Sequence, residues 1–196
     1  MDKRPFFLSF TAVYLTACLY YRAALALLPA AMLPIAVHEL SHVLALCLLG
    51  QKITGLSADA RGLCIHYRGS CSNAGHILAA LAGPLGGAVY ALVGCTGIAW
   101  LRQSAALSIL LTAFNLLPLL PLDGGRAFSL LSAATLGEVR GARLCRGVST
   151  VCLTLLLTGG VYLAVWKKST ALLAAAIWLL LFQNEEEALV KSREII

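Results

Sequence analysis

His38, Glu39 and His42 lie close together in the stretch "AVHELSHVLAL", Ala36 to Leu46. On a helix, residues four apart share a face, so both imidazoles can offer a ring nitrogen to one metal ion. Zinc takes neutral imidazole readily and, at a catalytic site, uses about three protein ligands. Glu39 adjoins the first histidine. Its carboxylate is placed to take a proton from a water at the metal and to pass it to a leaving amine. The surroundings are apolar. An ionisable group at membrane depth costs about 2.5–3.5 kcal/mol even on a lenient insertion scale, so three in one apolar segment point to a metal or a polar network.

A third ligand can be sought by elimination, because the chain has only nine acidic residues. Asp2, Glu185, Glu186, Glu187 and Glu194 are terminal; Asp59 falls in a hairpin turn and Glu138 in a basic loop. Asp123 remains, in "NLLPLLPLDGGR", after an apolar helix. Pro118 and Pro121 interrupt helical hydrogen bonding, and Gly124 and Gly125 permit a sharp turn, a break that can aim a carboxylate back at an earlier helix. The alternative is an aspartate that caps the next short helix. His66 in the hairpin and His76 at a helix start are rival ligands. Asn115 precedes the proline break; its amide can hold substrate backbone, stabilise a transition state or bond to a neighbouring helix.

The elements that must position these groups belong to a membrane. The chain has 196 residues, 60% hydrophobic and 12% charged, about half the charge of an ordinary soluble domain. We read an all-α polytopic membrane protein of about six transmembrane helices, with a small β-hairpin between the second and third. The apolar runs put the helices at about Phe6–Leu27, Pro29–Leu49, His76–Leu101, Ser104–Leu120, Leu144–Trp166 and Thr170–Phe182. "ITGLSA" and "GLCIHY" have strand composition on either side of "DARG". After Asp123 the pattern predicts a tight turn, a short helix and a basic loop. Residues 1–184 would form one membrane domain with its core at 29–126, and 185–196 a short charged tail. The N-terminal apolar run is long and has no small-residue cleavage site, so it reads as a retained helix. The seven cysteines form no CxxC pair and read as small apolar residues; no functional disulfide between Cys64 and Cys71 is expected.

A net charge of +6 does not point to nucleic acid, because the basic residues are scattered with no long run and no interleaved aromatics. They orient the chain instead. With the N-terminus in the cytoplasm, eleven of the fifteen lysines and arginines fall inside, and only Arg22, Arg102, Lys167 and Lys168 fall outside, as the positive-inside rule prefers. The hairpin and the "LDGGR" turn then face the cytoplasm.

"HELSH" and "NLLPLLPLDGG", in that order on separate apolar segments, resemble the site-2 protease family of intramembrane zinc metalloproteases. "AGPLGG", Ala82 to Gly87, is similar to that family's Gly-Pro element, and the hairpin to its β-structured insertion. The resemblance implies one zinc ion held by His38, His42 and Asp123, Glu39 as the catalytic carboxylate, and Asn115 in a substrate-binding or transition-state role. It implies a membrane-embedded or membrane-associated protein substrate cut near the cytoplasmic face, regulatory membrane proteins as partners, and a bacterial cell membrane as the location. The compact layout resembles the stage IV sporulation protein FB type, whose implied substrate is a sporulation sigma-factor precursor. One departure is Gly87, where the family often has Asn.

Two other classes compete. A transporter with a midplane metal site would also use broken helices and intramembrane charge, but no inverted repeat is visible and Glu39 would have no task. A non-catalytic client-binding protein would be expected to have lost a ligand or the glutamate, and neither is lost.

Overall fold

The structure is a computed structural model, and it describes residues 27–59, 62–69 and 71–181. The first expected helix, the hairpin tip at 60–61 and the charged tail lie almost wholly outside the described residues. The chain divides into two compact units, the first ending at Asn115 and the second beginning at Leu116.

In the first unit, α1 spans Leu27–Leu48, β1 Lys52–Asp59, β2 Gly62–Arg68, α2 Asn73–Gly94 and α3 Ala99–Asn115. Helix α1 stops because Gly50 takes a positive φ of 75°. Gln51 N–H then bonds back to Leu46 O at 2.9 Å, a closing turn that glycine accepts without strain. Strand β1 follows at once and pairs antiparallel with β2, with Ile53 opposite Tyr67 and Gly55 opposite His66; the register skips Thr54. The Ser72 side chain caps α2 by accepting from Gly75 N–H at 3.2 Å. Expected to run from His76 to Leu101, α2 instead ends at Gly94, and a turn leads into α3.

Three helices of this unit are tied by one buried hydroxyl. Pro34 lies inside α1. It has no N–H, so the carbonyl of Ala30 loses its helical donor. Ser104 of α3 replaces it, donating from Oγ to Ala30 O at 2.8 Å. That uses the only serine proton, so Tyr90 of α2 donates to Ser104 Oγ, at 2.7 Å. Ser104 and Ala30 are both fully buried. Leu40, Leu44 and Leu48, on another face of α1, are 60–80% exposed; such a stripe suits lipid and not water.

In the second unit, α4 spans Asp123–Leu136 and α5 Glu138–Lys167, and α6 covers Ala171–Leu181. The segment read as a basic loop is the start of α5. Glutamate in its first turn suits the positive end of a helix, and arginine and alanine favour helix. Only Gly137, at φ 80°, separates α4 from α5. Helix α5 carries Arg140, Arg143 and Arg146 near its start and Tyr162, Trp166 and Lys167 at its end, the distribution of a span anchored at both interfaces. Among the described residues three helices are long and apolar enough to cross a membrane: Pro29–Leu48, Asn73–Gly94 and Glu138–Lys167. Among the described residues the fold is helical and membrane-type with one small two-stranded sheet.

Candidate metal centre

In the first unit, the rings of His38 and His42 meet edge to face, with centroids 4.9 Å apart. Their Nε2 atoms approach to 3.3 Å. Two ligands of a tetrahedral zinc at about 2.0–2.1 Å stand roughly 3.3–3.4 Å apart, so this spacing suits one shared ion. His38 is buried, at 4% exposure; Glu39 and His42 are half-buried. The hydrogen bond from His42 Nδ1 to Ala79 O is 2.7 Å. A carbonyl only accepts, so Nδ1 carries the ring proton and Nε2 presents its lone pair toward His38.

Helix α2 allows this approach through its glycines. A Cβ on Gly83 would collide with His42 Nε2 and fall 2.8 Å from His38 Cε1; one on Gly86 would collide with Ser41 Oγ. Real Cβ atoms essentially never come within 3.0 Å of another heavy atom in this way. At both positions the missing side chain leaves room for groups of α1.

The rival histidines are engaged elsewhere or exposed. His76 Nδ1 pairs with the Tyr67 hydroxyl at 3.1 Å, fastening the hairpin to α2, and His66 is exposed on β2. Asn115 ends α3, and its Nδ2 donates to Leu111 O one turn earlier at 3.0 Å.

In the second unit, Asp123 is buried in the first turn of α4. It stands one residue after the N-cap, Leu122, and is the acidic residue of that first turn. The turn before it is built from backbone. Leu120–Pro121 is a cis peptide. Side chains on Gly124 and Gly125 would strike the backbone of Leu116 and Leu119 respectively, so only glycine allows the chain to fold this tightly. Ser149 of α5 donates to Pro118 O at 3.0 Å and ties down the same turn.

Sequence reading missed Ala79 and Ser104. A backbone acceptor leaves no mark in residue type, and a serine in an apolar helix is common; the signal for Ser104 was Pro34, whose missing N–H demands a donor for Ala30.

Comparison with known proteins bears on the fold and on part of the chain. The model for "Peptidase family M50" matches residues 76–159. The match takes in the Gly-Pro element and the "LPLDGG" turn and begins after the "HELSH" helix. No curated protein matches the chain. Among solved structures it is similar to the site-2 protease from Methanocaldococcus jannaschii, at 18% identity and a TM-score of 0.62, covering 86% of this chain and 82% of that one. At that identity the structural likeness establishes the fold; joined to the peptidase-family match, it supports a metalloprotease.

Proposed function

We propose that the chain is an intramembrane zinc metalloendopeptidase that cuts a membrane-embedded or membrane-associated protein. The observation that carries this reading is the 3.3 Å approach of two imidazole Nε2 atoms, with Glu39 between the two histidines in sequence and half-buried. Asp123 is proposed as the third ligand. Two imidazoles and one carboxylate make a donor set that can hold a divalent ion, and nitrogen-rich sets favour zinc. A bound zinc would supply Lewis acidity, polarising the scissile carbonyl and acidifying a water beside it.

The protein's own residues do the rest. His42 is held as the Nδ1–H tautomer by Ala79 O, which keeps Nε2 available as a ligand. Glu39 takes a proton from the attacking water and returns it to the departing amine. Asn115 is proposed to hold substrate backbone or steady the developing oxyanion through its side-chain amide. A helical substrate must unwind before its carbonyls can be attacked, and the β-hairpin offers an edge on which the unwound strand can pair. The spread of basic residues supports a cytoplasmic N-terminus and cleavage near the cytoplasmic face. The finer resemblance, to the sporulation type, would make a sigma-factor precursor the substrate and membrane proteins the regulators.

The test is Glu39→Gln in a reconstituted cleavage assay with metal content measured alongside. The expected result is unchanged zinc and a cleavage rate lower by about 10²–10⁴-fold, the usual contribution of a general base. Cleavage at the wild-type rate would refute the role given to Glu39.

A further inference from the structure

We propose that Gly83 and the Ala79 carbonyl of α2 are positioning groups for the metal centre: together they seat the His42 ring and fix its tautomer. This rests on the metal reading of His38 and His42 above. Ala79 and Gly83 are one helical turn apart and share a face of α2. The carbonyl takes the Nδ1 proton at 2.7 Å. Gly83 lies at the other end of the ring, where a Cβ would collide with Nε2 and fall 2.7 Å from Cε1. The same Cβ would stand 2.8 Å from Cε1 of His38, so both rings occupy the space that a side chain at 83 would need.

The neighbouring glycines do a different job. A side chain at 86 would meet Ser41, and one at 87 would meet Thr112 at 2.5 Å. Neither touches a ligand ring. Of the three, only Gly83 is tied to the imidazoles. The two positioning contacts also depend on each other. If a methyl group at 83 pushes the ring off α2, the 2.7 Å bond to Ala79 lengthens. The competing tautomer, with its proton on Nε2, then closes the atom that faces His38. Loss of such an outer partner typically costs about 10–100-fold in metal affinity.

The experiment compares zinc affinity, by chelator competition and bound metal per chain, in the full chain and in Gly83→Ala and Gly86→Ala. The expected result is a loss of about 10–100-fold for Gly83→Ala, with Gly86→Ala, which disturbs the same helix pair through Ser41, staying close to wild type. Wild-type affinity in Gly83→Ala, or an equal loss in both variants, overturns the proposal. Failure of the wild-type chain to bind zinc would instead refute the metal reading. A second measurement does not depend on the variant folding: nitrogen NMR of histidine-labelled, metal-free wild type, assigned with His42→Gln. The neutral His42 ring is expected to be protonated at Nδ1; protonation at Nε2 overturns the proposal.

Discussion

Removing the Ser104 hydroxyl tests how α1 is held. In Ser104→Ala two interhelical bonds disappear, the 2.8 Å bond to Ala30 O and the 2.7 Å bond from Tyr90. Interhelical hydrogen bonds in membrane proteins average about 0.6 kcal/mol and reach about 1.7. The Ala30 carbonyl is buried and has lost its helical donor to Pro34, so it would be left without a partner at a further cost. The expected loss of stability is about 1–3 kcal/mol.

Pro34 supplies the control. Pro34→Ala restores an N–H to α1 and lets Ala30 O bond within its own helix. In that background Ser104→Ala should cost about 1 kcal/mol less, a coupling that a double-mutant cycle resolves. The assay is reversible unfolding in mixed micelles on the four proteins of the cycle. Strict additivity would refute the claim that the serine serves the carbonyl freed by the proline. Because His38 lies one turn after Pro34, Ser104→Ala should also bind zinc more weakly.

Two further outcomes follow from the packing. In Gly87→Asn the new Cβ would stand 2.5 Å from Thr112 Oγ1, a buried hydroxyl without a hydrogen-bond partner in the structure. The variant should lose about 1–3 kcal/mol of stability, Thr112→Ala should recover much of it, and a melting temperature equal to wild type would refute the overlap. Thr54 is skipped in the strand register, and such irregular positions are where strands accept proline. Thr54→Pro should slow cleavage while zinc content holds, and normal cleavage would remove the hairpin edge from the substrate path.

The pairing of His38 with His42 was legible in the chain because its signal is local. Two histidines four apart on a helix must share a face, and ionisable groups among apolar residues need a reason to be there. The hairpin showed in strand-forming runs around a turn. Helix ends were less legible. The basic segment 138–146 carries helix-favouring residues, but where its helix begins shows only once Gly137 is seen to take the turn between α4 and α5 at φ 80°. The end of α2 at Gly94 was also missed, since an apolar run does not reveal where the backbone turns.

By itself, then, the sequence determined the membrane class, and the types and spacing of the residues proposed as ligands. Periodicity, composition and the cost of burying charge act within a segment, so they can be read from it. Tertiary structure alone decided which tautomer His42 adopts, which glycine the imidazoles require, and which hydroxyl satisfies the carbonyl that Pro34 frees. Each depends on a backbone atom or an empty volume contributed by another helix, and neither is encoded in residue type.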